Sequence, residues 1–301
     1  MNKKVEVLMS TYNGERFLKE QIDSILNQED VEISLMIRDD GSTDGTINII
    51  NEIVKQNSNV SMYRGENLGP ARSFMDLIYN SNEADYYAFA DQDDVWDSKK
   101  IISAINKMNG KENEPSLYIS ALQVVDENLN EIEFRKVQGN FCLEGEMVKN
   151  FATGCTQVFN NSLRNLLKKY KPEFIIMHDS WITRVCYAVG GNVIIDENSY
   201  IKYRQHEKNL IGYRDAKLKK IKKQYKIAFK RNIRMRAQIA RELKSGYPDE
   251  ITIEANQLAN NLINYNFDIR AKRWLLQNKK FRTNDNYINL KMFVAIVLNK
   301  F

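Results

Sequence analysis

The sequence predicts an α/β fold in which a mostly parallel, Rossmann-like sheet is flanked by helices and followed by a helical, basic C-terminal extension. Short apolar runs alternate with stretches of helical periodicity in the first third of the chain, which is typical of β–α units that build a parallel sheet. Residues 215–301 instead place apolar residues at helical spacing among many basic ones. We predict a body over residues 1–212, in two halves at 1–97 and 98–212, and a helical region over 213–301.

Composition is ordinary for a globular protein, because 43% of the 301 residues are hydrophobic and 28% are charged. The three cysteines, at positions 142, 155 and 186, are far apart and lack a CxxC spacing, so neither a disulfide framework nor a zinc site is indicated. The N-terminal residues lack the apolar region of a signal peptide, and no run reaches the roughly 18 apolar residues of a membrane span. We expect a cytoplasmic protein.

The net charge of +5 conceals an asymmetry. Residues 215–301 contain 20 Lys or Arg against 7 Asp or Glu, whereas residues 1–214 contain 24 against 32. An acidic body is suited to hold cations, and a basic tail is attracted to anions. The basic stretch 217–244 could lie on an anionic membrane, bind nucleic acid or pack on the body. We favour packing with a membrane-proximal basic face, since no nucleic-acid-binding motif accompanies the charge.

Four strands with polar turns at their carboxyl ends make up the first half. The strands are predicted at Val5–Met9, Ile33–Ile37, Val60–Tyr63 and Tyr86–Ala90, with helices at about 15–27, 47–54, 70–79 and 98–108. Right-handed crossovers place the strand-to-helix turns on one edge of the sheet. Ligands bind at that edge in such folds, so the four turns should line one crevice.

The second half is predicted to add shorter elements. Strands are expected at Leu117–Val125 and Phe151–Phe159, helices at Ser162–Tyr170 and from His178, and a hairpin from Val193–Ile195 and Tyr200–Arg204. In the tail we expect a helical segment at about Ile251–Leu276 and a short apolar helix at Met292–Leu298 that docks within the chain or in an oligomer interface.

The turn after the fourth strand concentrates negative charge. Asp91, Asp93 and Asp94 fall within four positions, and carboxylates this close repel one another unless a cation binds between them. The alternative is a solvated turn in which Asp94 or Asp97 caps the next helix. No GxGxxG or GxxxxGK[ST] motif is present. A bound diphosphate would therefore need a metal held by Asp93. The convergence of the polar turns on one crevice favours such a metal site over a solvated turn.

A second candidate lies at His178-Asp179, at the predicted start of a helix. Asp179 could be a functional carboxylate or only an N-cap, and His178 could be a core histidine. His206, the only other histidine, follows the last predicted strand. Gly154 either lets a ligand approach the backbone or marks a tight packing spot.

Four motifs in the first half resemble glycosyltransferase family 2, which has the GT-A fold. They are Ser10-Thr11-Tyr12-Asn13-Gly14, Asp39-Asp40-Gly41-Ser42-Thr43-Asp44-Gly45-Thr46, Asn67-Leu68-Gly69-Pro70-Ala71-Arg72 and Asp91-Gln92-Asp93-Asp94-Val95-Trp96. Thr153-Gly154-Cys155-Thr156, His178-Asp179-Ser180-Trp181 and Tyr203-Arg204-Gln205-His206 are similar to the branch that contains bacterial rhamnosyltransferases. The resemblance covers about residues 4–210.

The resemblance implies an inverting glycosyltransferase that uses a nucleotide-diphosphate sugar and Mg²⁺ or Mn²⁺. Residues 1–97 would bind the donor and 98–212 the acceptor. By position, the donor-binding residues would be Thr11, Tyr12, Asn13, Glu15, Asp40, Arg64, Arg72 and Asp91. The metal would be held by Asp93, with His206 as a further metal or diphosphate contact. The catalytic base would be Asp179, which leaves open whether His178 assists.

Several finer expectations follow from the resemblance and the tail. The transferred sugar is a hexose or deoxyhexose, with rhamnose the leading candidate, and the acceptor is a lipid-linked oligosaccharide or an adhesin glycan. The basic tail suggests peripheral contact with the inner face of the cell membrane and a homo-oligomer interface, and no nucleic acid is expected as a partner. The alternatives are a non-catalytic nucleotide-sugar-binding or assembly subunit and a nucleic-acid-binding protein.

Overall fold

A computed structural model describes residues 2–206, 235–283 and 285–301 of the chain. The strands are β1 (Lys3–Thr11), β2 (Val31–Asp39), β3 (Val60–Arg64), β4 (Tyr86–Ala90), β5 (Val95–Trp96), β6 (Ser116–Val125), β7 (Glu131–Arg135), β8 (Gln157–Asn160) and β9 (Asn192–Arg204). The helices are α1 (Leu18–Leu26), α2 (Thr46–Gln56), α3 (Pro70–Asn80), α4 (Lys100–Met108), α5 (Leu143–Val148), α6 (Asn161–Lys169), α7 (His178–Ala188), α8 (Met235–Gly246), α9 (Ile253–Asn264), α10 (Ile269–Gln277) and α11 (Asn286–Val297).

The strands form one mixed sheet in the order β3-β2-β1-β4-β8-β6-β9-β5, with β7 paired to β6. β1 to β4 are mutually parallel where they pair, as the alternation of strands and helices predicts. β8 then runs antiparallel to both β4 and β6, and β9 runs parallel to β6. The carboxyl ends of β1, β2 and β4 therefore lie side by side at one edge of the sheet.

A hydrophobic layer covers each face of the sheet. Successive side chains along a strand point to opposite faces, so neighbouring residues of one strand belong to different layers. In β1, Val7 and Met9 pack with α1, α2 and α4, whereas Leu8 packs on the other side with α3, α6 and α7. Because both faces are buried, the strands of the parallel half are nearly continuous apolar runs. The predicted α/β fold is confirmed.

The structure differs from the prediction in three elements. The predicted hairpin is wrong, because residues 192–204 form one strand that pairs with β6 through register shifts near Ser120 and Ala121. Asp196 belongs to the polar residues that we expected to form the turn of the hairpin. It is buried and accepts a hydrogen bond from the Tyr118 hydroxyl at 2.9 Å. Residues 154–156 form a 3-10 turn before β8, and the predicted helix 251–276 is divided into α9 and α10, with Asp268 capping the second.

The C-terminal helices extend the layer that contains α7. Tyr247, Leu258 and Phe281 are buried and belong to the same apolar cluster as Trp181 of α7. The domain boundary predicted after residue 212 and most of the basic stretch 217–244 lie outside the described residues. In the described part of the chain no helix is long and apolar enough to cross a membrane.

Candidate active site

The turns after β1, β2 and β4 are joined by hydrogen bonds at the carboxyl edge of the sheet. The Asp40 amide donates to the Thr11 carbonyl at 2.8 Å. The Gln92 side chain accepts from the Tyr12 amide at 2.8 Å and donates to the Tyr12 carbonyl at 3.1 Å. The predicted convergence of the turns is confirmed. Gln92 had no predicted role, although it stands between the two aspartates of the motif.

Three predicted donor-binding residues shape the turn after β1. Asn13 has a positive φ of 49°, and its side-chain oxygen accepts a hydrogen bond from the Thr43 amide at 2.8 Å. The Glu15 carboxylate accepts from the Gly45 amide at 2.6 Å. The Tyr12 side chain is half exposed. Asn13 and Glu15 thus hold the turns of β1 and β2 together and leave the Tyr12 ring at the surface of the crevice.

Asp39 and Asp40 at the end of β2 are both buried. Asp39 accepts hydrogen bonds from the Thr11 hydroxyl at 3.1 Å and the Ser42 amide at 2.9 Å. Asp40 accepts from the guanidinium of Arg38, and also from the Leu68 amide at 3.0 Å, the Gly69 amide at 2.9 Å and the Ser73 hydroxyl at 3.1 Å. The side chain of Asp40 therefore locks the end of β2 to the start of α3.

Sequence reasoning missed Arg38, which organises this corner. It is buried inside β2 and pairs with Asp40 as well as with Asp76 at 2.9 Å. The predicted strand ends at Ile37, so Arg38 falls beside the polar turn in the sequence, and its burial, which requires a partner for the charge, is visible only in the structure. Two predicted donor-binding residues, Arg64 and Arg72, are exposed at the same corner, and Arg72 donates to the Glu173 carbonyl at 3.1 Å.

The turn after β4 meets the end of β9. His206 Nε2 lies 2.7 Å from Asp93 Oδ2, so the structure brings the two predicted metal residues together. Arg204 holds the turn from behind, because its side chain donates to the Asp93 carbonyl at 2.8 Å and its amide donates to Asp94 Oδ1 at 3.1 Å. Arg204 is itself buried and ion-paired with Glu20.

Negative charge dominates this turn. Burial raises the pKa of the Asp91 carboxyl to about 7, and the charges of Asp93 and Asp179 act in the same direction. Burial and the charges of Asp93 and Asp91 raise the pKa of Asp94 well above its ordinary value. Burial lowers the pKa of Lys100 to about 8, and its ammonium lies 3.7 Å from the centre of the Trp96 ring. The site is thus rich in carboxylates that would be stabilised by an added cation.

The residues present fit a divalent cation. Asp91, Asp94 and Cys155 bring potential ligand atoms within 4.8 Å of one another, but Cys155 is a poor ligand there. Burial raises the pKa of the Cys155 thiol well above its usual value, and metal binding requires the thiolate. Asp93 and His206 offer a less buried oxygen and nitrogen beside Asp91, and carboxylate oxygens are the ligands that Mg²⁺ and Mn²⁺ prefer.

Asp179 lies in the first turn of α7, where the helix dipole favours a negative charge. Its Oδ1 accepts hydrogen bonds from the Asn150 side chain at 3.1 Å and from the Ser180 amide. Burial raises the pKa of the Asp179 carboxyl to about 6, and the Ser180 amide and the Arg184 charge partly offset this rise. A carboxylate with such a pKa is ionised at neutral pH and can accept a proton.

His178 faces away from this chemistry. Its ring stacks on Phe74 at 4.1 Å and meets Phe89 edge-on at 4.8 Å. Burial lowers the pKa of His178 to about 3, and neither ring nitrogen has a hydrogen-bond partner among the described residues. A Cβ at Gly154 would lie 2.5 Å from His178 Nε2. Gly154 is therefore a tight packing spot against a neutral histidine.

The fold is that of solved glycosyltransferases of the GT-A type. A solved structure of S. aureus TarS residues 1–349 in complex with UDP superposes with a TM-score of 0.57 at 15% identity and covers 97% of this chain and 90% of that one. A mannosyltransferase from Pyrobaculum calidifontis in complex with GDP-Man and Mn²⁺ has a TM-score of 0.55 at 13% identity, covering 99% and 75%. These likenesses concern the fold.

The chain belongs to glycosyl transferase family 2, whose model matches residues 6–185. It is similar to the dTDP-rhamnosyl transferase RfbG of Shigella flexneri, with 29% identity over 285 residues that cover 90% of this chain and 95% of the relative. The predicted family, fold and enzyme class are confirmed. The protein is a glycosyltransferase.

Proposed function

We propose that the protein transfers a sugar, with inversion, from a nucleotide-diphosphate donor to a hydroxyl of a glycan acceptor in a metal-dependent reaction. One observation carries this proposal. Asp93 Oδ2 lies 2.7 Å from His206 Nε2 at the carboxyl edge of the sheet, and the charges of Asp93 and of the buried Asp179 both act on Asp91. We infer that the pair suited to bind a metal and the carboxylate suited to act as a base serve one site, as a displacement at one carbon atom requires.

The donor nucleotide is assigned to the corner formed by β1, β2 and α3. Tyr12 offers an exposed ring for a base, and Arg64, at the end of β3, and Arg72, in the first turn of α3, are exposed positive charges. Thr11, Asn13, Glu15 and Asp40 shape this corner through the hydrogen bonds that fix its turns. Asp91, at the end of β4, is assigned to the ribose.

Asp93 and His206 would hold Mg²⁺ or Mn²⁺ beside the diphosphate. When bound, such a cation stabilises the negative charge that develops on the departing nucleoside diphosphate. The chain itself orients the two ligands, because Arg204 fixes the Asp93 backbone and the Phe17 ring lies 5.2 Å from the ring of His206.

Asp179 is assigned as the general base. An acceptor hydroxyl has a pKa far above neutrality, so its attack on the anomeric carbon requires a positioned group to take the proton. Asp179 is buried and ionised at neutral pH, and it sits on a helix rather than on a mobile loop. Burial of His178 among aromatic rings argues against a share in this proton transfer.

Rhamnose from a deoxythymidine diphosphate donor is the sugar we propose, and the similarity to RfbG supports it. Galactose or glucose from a uridine diphosphate donor would be the next candidates. For the acceptor we propose a lipid-linked oligosaccharide ahead of an adhesin glycan, because the C-terminal helices present a surface suited to a membrane.

That surface is the outer face of α11. Six large apolar side chains are exposed there, namely Tyr287, Leu290, Phe293, Val294, Val297 and Leu298, whereas the outer face of a docked helix is ordinarily polar. Residues 265–301 contain eight Lys or Arg and two Asp. An apolar face within a cationic region suits an anionic lipid bilayer, and we propose that the protein binds there peripherally.

Vesicle sedimentation tests the membrane contact. Phe293→Glu should reduce binding to phosphatidylglycerol vesicles, and Ile132→Glu, which changes an exposed apolar residue on β7, should not. Equal binding by the two variants would contradict the proposal. If light scattering shows instead that Phe293→Glu dissociates a dimer, the face is an oligomer interface.

A donor panel tests the proposed reaction. The protein is incubated with dTDP-rhamnose, UDP-glucose and UDP-galactose, with Mg²⁺, with Mn²⁺ and with EDTA, and release of nucleoside diphosphate is measured. We expect release with one donor that requires the metal, and thermal stabilisation by that donor. Stabilisation without any release would favour a non-catalytic nucleotide-sugar-binding subunit, and no response to any donor would contradict the proposal.

A further inference from the structure

Three polar side chains lie behind Asp179 and are not part of the chemistry assigned above. They are Glu146 on α5, Asn150 in the loop that follows, and Arg184 on α7. Glu146 and Arg184 are buried, at 0% and 6% exposure. Charged groups this deep in a protein need a partner, so their presence beside Asp179 calls for a reason.

Asn150 contacts the proposed base directly. Its side-chain nitrogen donates to Asp179 Oδ1 at 3.1 Å, and its side-chain oxygen accepts from the Ala152 amide at 3.0 Å. The second hydrogen bond fixes which end of the amide faces Asp179, because only the NH₂ end can donate to a carboxylate. The side chain of Asn150 is thus held in the one orientation that favours an ionised Asp179.

Glu146 and Arg184 hold the loop that carries Asn150. Glu146 Oε2 accepts a hydrogen bond from the Phe151 amide at 3.3 Å, while its Oε1 lies 3.4 Å from Arg184 Nη2. Arg184 also donates to the Glu146 carbonyl at 3.3 Å. The pair therefore ties α7, which carries Asp179, to the backbone beside Asn150.

We propose that Asn150 is a positioning residue for Asp179 and that the Glu146–Arg184 pair holds Asn150 in place. The hydrogen bonds from Asn150 and Ser180 both end on Oδ1, and the Gly154 amide also donates to this carboxylate. Asn150 supplies the side-chain donor among these contacts. This inference rests on the proposed role of Asp179 as the base. The ionisable groups that face Asp179 are Asp91, Arg184 and Glu146, and burial raises the pKa of the Glu146 carboxyl to about 8.

The test compares Asn150→Ala with Asn51→Ala, which changes an exposed asparagine on α2. Donor hydrolysis is measured with whichever of dTDP-rhamnose, UDP-glucose and UDP-galactose the wild-type protein turns over fastest. We expect Asn150→Ala to lower kcat about tenfold to a hundredfold with little change in donor KM, because a hydrogen bond to a charged group is lost. The acid limb of kcat should move to higher pH, and Asn51→Ala should match the wild type.

Two further comparisons separate positioning from a structural role. In an Asp179→Asn background, Asn150→Ala should cause no additional loss, since residues that act through one another are not additive. Glu146→Gln should retain most activity, because its amide oxygen can still accept from the Phe151 amide, whereas Glu146→Ala should resemble Asn150→Ala.

The proposal is overturned if Asn150→Ala has the kcat and pH profile of the wild type, or if it lowers the residual rate of Asp179→Asn by the same factor as in the wild type. Wild-type turnover by Asp179→Asn alone would overturn the assignment of the base, and with it this inference. The single and double variants therefore distinguish a failure of the positioning role from a failure of the proposed function.

Discussion

The ionisation of Asp179 makes a quantitative prediction for the pH dependence of turnover. A general base works only when it is deprotonated, and burial raises the pKa of Asp179 to about 6 from its ordinary 3.8. With that pKa, about nine tenths of the carboxyl is ionised at pH 7 and about one tenth at pH 5. We therefore expect kcat to fall about tenfold from pH 7 to pH 5, whereas an ordinary aspartate would leave kcat nearly unchanged.

The assay measures kcat with saturating donor and metal between pH 5 and pH 8. Saturation matters because the pKa of Asp91 is also raised, and its protonation should affect donor KM. The Asp179→Asn variant serves as the control and should lack the acid limb, and circular dichroism checks that both proteins stay folded. A wild-type kcat that is flat from pH 7 to pH 5 would refute the assignment.

Three other substitutions have defined outcomes. Arg38→Met should lower the free energy of unfolding by about 3–5 kcal/mol, measured by urea denaturation, because it leaves the buried Asp40 carboxylate without a counter-charge; a loss below about 1 kcal/mol would contradict this account. His206→Ala should raise the metal concentration for half-maximal activity at least about tenfold, since the metal would lose one of its two proposed ligands and even an outer-shell partner is worth about that much, and an unchanged metal titration would remove His206 from the site. Gly154→Ala should lower stability by about 1–3 kcal/mol in thermal denaturation, because the new methyl group would clash with His178; wild-type stability would show that the ring can move.

The sheet could be predicted from sequence where local signals and the fold agree. β1 to β4 are apolar runs followed by polar turns, and the direction of the crossovers then decides which edge carries the site. The prediction of a hairpin over residues 192–204 was wrong because Asp196 to Ser199 have the composition of a turn. Pairing with β6 and the hydrogen bond from Tyr118 keep this segment extended, and neither can be read from local residues.

The sequence predicts those residues of the candidate site that lie at the ends of strands. The positions of Asp91 and Asp93 follow from the strand before them, and the approach of His206 to Asp93 depends on how β9 ends. Asn150 and Glu146 could not be found this way, because they come from a loop and a short helix distant in sequence from Asp179. Their relevance depends on the packing of α5 against α7, which only the tertiary structure shows.

The most direct test of Asp179 as the general base compares the wild type with Asp179→Asn. Release of nucleoside diphosphate is measured for both, under conditions in which the donor stabilises both proteins equally. A positioned base contributes about a hundredfold to ten-thousandfold to a rate. We predict that Asp179→Asn binds the donor like the wild type and releases nucleoside diphosphate at least a hundredfold more slowly. Equal rates for the two proteins would contradict the account of the site.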